Sequence, residues 1–167
     1  MSQLIPPDTH HLLAAQGWLE LGNQAEAELE LEKITPELQT HPLVLEMQWQ
    51  VQAEQRKWDK CVEVAAALVK TAPENPSGWI HRAYALRRVA GGGLKIAFDS
   101  LRPAVEKFPE VSVIPYNLAC YTCQMNDLDE ARNWLAKAFA NSDAKEVKKI
   151  ALSDSDLEIL WPEISKM

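Results

Sequence analysis

The amino-acid sequence predicts an all-α protein made of consecutive pairs of amphipathic helices. A short residue followed by apolar residues four and seven positions later occurs four times, beginning at Ala27, Cys61, Ala97 and Ala131. These first members stand 34, 36 and 34 residues apart, which is the length of a helix pair. Alternating or β-branched runs of the kind that form strands do not occur at length. The period and the helical spacing therefore favour a repeat protein.

The repeat divides the chain into four units and a tail, over residues 8–41, 42–75, 76–111, 112–143 and 144–167. Pro42 and Pro76, which lie 34 residues apart, stand at the junctions, where proline can end one helix and begin the next. Each unit is expected to hold two helices joined by a tight turn. The spacing of apolar residues predicts these helices over 8–21, 24–34, 42–55, 58–71, 76–89, 95–107, 113–125 and 128–140.

Two segments depart from the 34-residue period. The third unit is two residues longer, which we attribute to Gly91-Gly92-Gly93 in the turn between its helices. The tail carries an apolar stripe of Leu157, Leu160 and Trp161, which Pro162 is expected to disrupt. A stack of helix pairs leaves its last apolar face bare, so the tail is predicted to cap the repeats.

The fourth unit resembles a tetratricopeptide repeat in nearly full form, and the other units match it in register. The residues that carry this resemblance in unit four are Tyr116-Asn117-Leu118-Ala119, Asn126-Asp127-Leu128-Asp129-Glu130-Ala131, Leu135 and Ala138. The third unit matches through Trp79, Ala83, Ala97, Leu101, Ala104 and Pro109, and the first through Ala15, Trp18, Gly22, Ala27 and Leu31. The second unit diverges most, with Trp49 and Cys61 in place of small residues and Arg56 in place of the turn glycine. The resemblance covers residues 8–143 and implies a right-handed superhelical solenoid of about four such pairs with a C-terminal capping helix.

The net charge of −7 is concentrated in the first half of the chain. Residues 1–75 hold 12 acidic against 5 basic side chains, whereas residues 76–167 hold 12 of each. Such a surface repels phosphate backbones, so nucleic acid is not expected as a partner. A solvated helix face that keeps the protein in solution is the simpler interpretation of the acidic half.

The sequence favours a cytoplasmic protein. No apolar run approaches the length of about 18 residues that a membrane span requires, and Met1–Pro7 has neither the basic start nor the apolar core of a signal peptide. Three cysteines, an odd number, do not suggest a disulfide framework. We therefore expect neither membrane insertion nor secretion.

No motif supports catalysis, a cofactor or a metal. Cys120-Tyr121-Thr122-Cys123 is a CxxC, but it falls inside a predicted helix and lacks a second ligand pair. Small buried residues explain it better, although a redox role stays open. Gly91-Gly92-Gly93 lacks the pattern of a phosphate loop, and the four histidines show no ligand spacing. We expect a protein that is not an enzyme and binds no cofactor.

In tetratricopeptide proteins the first helix of each pair lines a concave groove that holds a partner peptide or helix. Carried over by register, the partner-binding residues expected here are Glu46, Gln50, Ile80, Tyr84, Arg87, Arg88, Tyr116 and Cys120. Aromatic and arginine side chains dominate binding hot spots, so the groove centre is predicted at Tyr84, Arg87, Arg88 and Tyr116. The alternative for the two arginines is that they solvate a helix end.

The function expected from this resemblance is that of a protein-interaction scaffold whose groove takes an acidic and apolar segment of another protein. Two alternatives stay open: a dedicated secretion chaperone of this repeat class, and a scaffold that self-associates, for example as a homodimer. The Lys and Asn residues with which some relatives grip chaperone C-termini are absent except Asn117, which counts against a co-chaperone.

Overall fold

The structure is a computed structural model that describes residues 3–166, and over that range it contains helices, turns and no strand. The chain divides into two compact units, Met1–Ala90 and Gly91–Met167. The boundary falls inside the third predicted repeat, between its two helices. The prediction of an all-α fold built from helix pairs is confirmed.

Over residues 3–90, the first unit contains five α-helices and one short 3-10 helix. In chain order these are α1 (Asp8–Glu20), α2 (Gln24–Glu32), a 3-10 helix (Pro36–Leu38), α3 (Pro42–Glu54), α4 (Trp58–Thr71) and α5 (Pro76–Leu86). Helix α1 packs against α2, α3 packs against α4, and α4 packs against α5. Each helix therefore contacts its neighbour in sequence, which is the arrangement that the repeat predicts.

The second unit continues the helical order and ends in the tail. Its elements are α6 (Leu94–Leu101), α7 (Ala104–Lys107), α8 (Val113–Gln124), α9 (Leu128–Ala140), α10 (Ala144–Ala151), a 3-10 helix (Ser155–Leu160) and α11 (Trp161–Ile164). Helix α8 lies at the centre, packed against α6, α9 and the 3-10 helix of the tail.

The small residues of the repeat lie where helices approach most closely. Ala27, Cys61, Ala97 and Ala131, which begin the four sequence matches, are all fully buried. A larger side chain at these positions would force the helices apart, because protein interiors are close-packed. The apolar stripe that follows each of them, such as Leu31 and Ile34 in the first unit, completes the core.

The same turn joins the two helices of the first, second and fourth repeats. Residues Gly22, Arg56 and Asn126 have φ values of 73°, 55° and 63°. In each case the amide of this residue donates to the carbonyl three residues back, and the next amide donates to the carbonyl five residues back. This is the Schellman motif, in which a left-handed residue satisfies the last carbonyls of a helix. The prediction that Arg56 occupies a glycine position is thus confirmed by its backbone conformation.

Side-chain caps start the helix that follows the turn or junction. The side-chain oxygens of Asn23, Asn75, Asp127 and Asp143 accept hydrogen bonds from backbone amides of the first turn. These residues satisfy amides that have no partner within the helix. The caps explain why α2, α5, α9 and α10 begin where they do.

The structure corrects three predicted elements. The helix expected over 95–107 is broken into α6 and α7, because Pro103 has no amide hydrogen to donate. Helix α5 ends at Leu86, three residues before the predicted bound. Pro162 does not disrupt the tail: it lies in the first turn of α11, where its missing amide hydrogen costs nothing.

The tail forms the predicted cap from three short segments. Its side chains Leu157, Leu160 and Ile164 are buried, as are Val147 and Ala151 of α10. The 3-10 helix packs on α8, and α10 packs on α9. Both helices of the last repeat are therefore covered. Across the described range 3–166, no helix has the length and apolar character that crossing a membrane requires.

Candidate protein-binding site

The first unit carries a cluster of aromatic side chains along α3 and α5. The indole of Trp49 stacks on the imidazole of His81, with ring centroids 3.9 Å apart and planes 9° from parallel. Tyr84, one turn after His81, meets the edge of Trp49 at 5.9 Å and the ring of Trp58 at 5.9 Å. Tyr84 therefore lies between two indoles, and it is the member of this group that is exposed to solvent.

Trp49 explains why the second repeat departs from the pattern. It stands where the other units have alanine, and its side chain is 8% exposed in a cluster with Cys61, Ala65 and Ala85. A side chain of this size at a close approach must be accommodated by its neighbours, and here it is placed against the aromatic ring of His81. The substitution thus builds the base of the aromatic cluster.

A carboxylate holds His81 in this stack. The two oxygens of Glu46 accept hydrogen bonds from His81 Nε2 at 2.8 Å, from Ser77 Oγ and from Asn75 Nδ2 at 3.5 Å. Burial by itself would raise the pKa of Glu46, but the hydrogen bonds from His81 and Ser77 outweigh it and lower that pKa below its ordinary value. Glu46 is therefore occupied with neighbours inside the protein, and its role is to orient His81.

Arg88 completes the cluster at the end of α5. Its guanidinium carbon lies 3.5 Å from the centroid of the Tyr84 ring and 5.5 Å from that of Trp58. Its Nη1 donates to the carbonyl oxygen of Tyr84 at 2.9 Å, while its backbone amide donates to Ala85 instead. The guanidinium thus satisfies a helix-terminal carbonyl and stacks on an aromatic ring at the same time. Two interactions fix the orientation of an exposed cation.

The exposed side of this cluster is a cleft of about 570 Å³, hereafter the aromatic cleft. It is lined by Ala53, Glu54, Arg56, Trp58, Tyr84 and Arg88. The turn at Arg56 sends α4 back along α3 and so places Trp58 opposite Tyr84. The cleft combines flat aromatic walls with two arginines and one carboxylate.

The other residues predicted for the groove are placed differently. Gln50 lies on α3 and is exposed. Ile80 lies on α5 and Arg87 directly follows it, and both are partly buried. Cys120 on α8 is only 3% exposed, so its side chain is not on the surface. A partner protein therefore cannot contact it in this structure.

The tail covers the face of α8 that was predicted to line the groove. The hydroxyl of Tyr116 donates to Asp154 Oδ2 at 2.9 Å, and the Cys120 thiol lies 3.5 Å from the same oxygen. The amide of Gln124 donates to the carbonyl oxygen of Asp156 at 2.9 Å. Burial, then the neighbouring Cys120 and Asp154, raise the pKa of the Tyr116 hydroxyl, which stays protonated and donates. Tyr116 is thus engaged by the tail.

The same contacts define the chemistry around the CxxC. Burial, followed by the charges of Asp156 and Asp154, raises the pKa of the Cys123 thiol, which disfavours the reactive thiolate. Side-chain atoms of Cys120, Asp154 and Asp156 lie within 4.8 Å of one another, a spacing that a metal ion could use. However, Asp154 already accepts hydrogen bonds from Tyr116, Cys120 and the amide of Asp156. These hydrogen bonds account for the arrangement of Cys120, Asp154 and Asp156, because they attach the tail to α8.

Sequence reasoning missed Trp58, His81 and Asp154. Trp58 follows the Arg56 turn at a variable position, and the repeat pattern carries no information about its orientation. His81 was grouped with the other histidines, which show no ligand spacing, although it lies on the same helical face as Tyr84 and Arg88. The spacing 81, 84, 88 was the signal that could have found it.

Comparison with known proteins supports the fold. No protein-family profile matches the sequence, and no curated protein sequence matches it. Among solved structures, the chain is similar to a thermophilic TPR protein from Thermus thermophilus, with 19% sequence identity and a TM-score of 0.72. The superposition covers 94% of this chain and 82% of that one. The chain therefore has the fold of a tetratricopeptide repeat protein.

Proposed function

We propose that the chain is a protein-binding scaffold and that the aromatic cleft binds a segment of a partner protein. The observation that carries this proposal is the fixed position of Arg88, held over Tyr84 and beside Trp58 at the surface. Arginine and large aromatic side chains dominate the energetics of protein interfaces. Because these groups are already ordered, little conformational entropy is lost when a partner binds.

The chemistry of the aromatic cleft favours a partner segment that is both acidic and apolar. Arg56 and Arg88 outnumber Glu54 among the charged groups that line it. A guanidinium binds a carboxylate through paired hydrogen bonds, and the faces of Trp58 and Tyr84 accept an apolar side chain. The volume of about 570 Å³ lies within the range of about 300–1,000 Å³ that is typical of binding clefts. No arrangement of groups in residues 3–166 suggests catalysis more strongly than binding.

We also propose that the protein is cytoplasmic. Cys61, Cys120 and Cys123 are all buried and unbridged in the described residues. Disulfides form in oxidising compartments and are rare in cytosolic proteins, so their absence among these cysteines favours a cytoplasmic location.

The test begins with a partner identified by affinity capture from the native organism and mass spectrometry. Calorimetry then compares the wild type with Arg88→Glu and with Tyr84→Ala. Either change should weaken binding at least about tenfold, or about 1.4 kcal/mol, if the cleft contacts the partner. Arg102→Glu, which makes the same charge change at an exposed position in the second unit, is the matched control and should alter affinity less than about twofold.

Circular dichroism on each variant separates loss of binding from loss of folding. Unchanged affinity in well-folded Arg88→Glu and Tyr84→Ala proteins would place the partner surface elsewhere.

Self-association is the second candidate, and one feature of α1 favours it. Leu13 and Leu21 are 64% and 76% exposed, and they lie one turn of helix before and after Gly17. A Cβ added at Gly17 would meet no atom within 4 Å, so the surface between the two leucines is unoccupied at this position. Because the pattern is symmetric about Gly17, an antiparallel second copy would bring each Leu13 beside the other copy's Leu21. Sedimentation velocity at two concentrations tests this: Gly17→Gln should reduce a dimer that forms through this face, and a dimer that it leaves unchanged would contradict this arrangement.

A further inference from the structure

The second unit has a cleft of its own, between α8 and α10. Its volume is about 400 Å³, and its lining includes Val113, Tyr116, Asn117, Glu146, Val147 and Ile150. We call it the α10 cleft. Helices α8 and α10 both pack against α9, which fixes the two sides of the cleft. A volume of this size is typical of clefts that bind ligands or side chains.

Helical spacing explains why these residues line one cleft. Val113 and Asn117 are four positions apart on α8, and Glu146 and Ile150 are four positions apart on α10. Residues at this spacing lie on the same face of a helix. Each helix therefore presents one stripe to the cleft, and each stripe holds one apolar and one polar side chain.

The apolar side chains of the α10 cleft are accessible to a partner. Ile150 is 52% exposed and Val113 is 42% exposed, and the two belong to different helices that line the same cleft. The ring of Tyr116 also lines it, and the hydrogen bond of its hydroxyl to Asp154 fixes that ring. Single exposed apolar side chains are normal on a protein surface, whereas several that line one cleft indicate a binding surface.

Two polar side chains of the cleft have no partner within residues 3–166. The side-chain amide of Asn117 makes no hydrogen bond there, and the carboxylate of Glu146 makes neither a hydrogen bond nor an ion pair. Asn117 is partly exposed and Glu146 is exposed, so a bound segment can reach both. A second carboxylate, that of Asp143, uses one oxygen to accept from the amide of Lys145 at 2.8 Å. The cleft therefore offers accessible acceptors beside its apolar walls.

The charges of the cleft select the kind of segment that it can hold. Its charged lining residues, Asp143 and Glu146, are both acidic, whereas Lys145 and Lys149 are exposed on α10 without lining it. A basic segment gains from these carboxylates, and an acidic segment is repelled. A second copy of the chain, with its net charge of −7, would also bring like charges together. We propose that the α10 cleft binds a segment of a partner protein in which lysine or arginine adjoins a large apolar side chain.

The test uses the peptide acetyl-KLLK-amide as the probe, with two control peptides. Acetyl-ELLE-amide keeps the apolar side chains and reverses the charge, whereas acetyl-KSSK-amide keeps the charge and removes the apolar side chains. Each peptide is titrated into ¹⁵N-labelled full-length protein at low ionic strength. The probe should shift the side-chain amide of Asn117 and the backbone amides of Val113, Glu146 and Ile150 in a saturable way. For a peptide of this size the Kd should be about 1 mM, and at least about tenfold weaker for both controls.

Two variants and their matched controls separate this site from nonspecific attraction. Ile150→Ala should weaken the probe at least about threefold, because it removes apolar contact area. Glu146→Gln should weaken it about two- to fivefold, because it removes one charge without removing volume. Ile159→Ala and Glu158→Gln make the same changes at exposed positions of the second unit that do not line the cleft, and they should leave the Kd unchanged. All four side chains are exposed, and thermal melts show whether each variant remains folded.

Several results would overturn the proposal. They are equal affinity for the probe and either control peptide, an unchanged Kd in folded Ile150→Ala protein, or saturable shifts confined to the acidic first unit. A wild-type dimer in sedimentation velocity that Ile150→Ala dissociates would assign the α10 cleft to a second copy instead. The reporting amides all lie in the second unit, whereas the aromatic cleft lies in the first. The outcome is therefore independent of the function proposed above.

Discussion

Arg56 offers a direct test of the turn that joins the helices of each repeat. The residue has a φ of 55°, in the left-handed region, whereas the first repeat has Gly22 with a φ of 73° in the same motif. For a residue with a Cβ, this conformation costs about 1–2 kcal/mol relative to the right-handed region. Glycine avoids that cost but loses about 0.5–1 kcal/mol through the greater freedom of the unfolded chain. Arg56→Gly should therefore raise the free energy of unfolding by about 0.5–1 kcal/mol.

Two further variants isolate the backbone contribution. Arg56→Ala removes the long side chain but keeps the Cβ, so it should not reproduce the gain. Gly22→Ala introduces the opposite change at a position where an added Cβ meets no atom within 4 Å. No steric clash should then act, and the strain of the left-handed conformation, less the reduced freedom of the unfolded chain, should cost about 0.5–1 kcal/mol of stability.

Urea denaturation followed by circular dichroism measures all three variants. At this chain length a change of 1 kcal/mol corresponds to a shift in Tm of about 2–4 °C, so thermal melts give a second reading. The reasoning fails if Arg56→Gly is destabilising while Arg56→Ala is neutral. That result would mean that Arg56 does not hold the left-handed conformation in solution.

The tail and the Glu46 network give further predictions. A chain truncated after Ala151 should aggregate or melt at a lower temperature, because it loses the buried Leu157, Leu160 and Ile164. Leu157→Ala alone should cost about 2–5 kcal/mol, whereas Ile159→Ala, at an exposed position in the same 3-10 helix, should cost less than about 0.5 kcal/mol. Equal stability of the truncated and full chains would contradict the capping role. The lowered pKa of Glu46 contributes stability that is fully present above pH 4.5, its value when unfolded, and is lost as the pH falls through the lower folded value. Glu46→Gln cannot titrate, so the urea midpoint of this variant should change less between about pH 5 and pH 3 than that of the wild type. An identical pH dependence in both proteins would argue against the network.

The repeat pattern carried most of the information about helices and turns. Ala27, Cys61, Ala97 and Ala131 could be recognised because helix spacing and pair length are local properties of the sequence. The glycine-like position of Arg56 also followed from register alone. The helix predicted over 95–107 was wrong because the apolar period continues through Pro103, whereas the missing amide hydrogen of that proline breaks the helix into α6 and α7.

The candidate site could be predicted only in part. Tyr84 and Arg88 were predicted for the binding surface because helical spacing places them on one face. Trp58 and His81 were missed because their contribution depends on the packing of α3, α4 and α5 against one another. The contact between Arg88 and Trp58 joins residues 30 positions apart, and no local pattern encodes that distance.

The sequence by itself determined that the chain forms paired helices with capped ends, because hydrophobic period, cap residues and turn residues act within a few positions. The tertiary structure alone decided which of those surfaces remain open. Asp154 engages Tyr116 across 38 residues, and Asp8 accepts hydrogen bonds from Thr35 across 27. Such contacts depend on the angle and distance at which whole helices pack, and these follow from the sum of many side-chain volumes. For that reason the face of α8 is covered by the tail, while the aromatic cleft on the first unit is exposed.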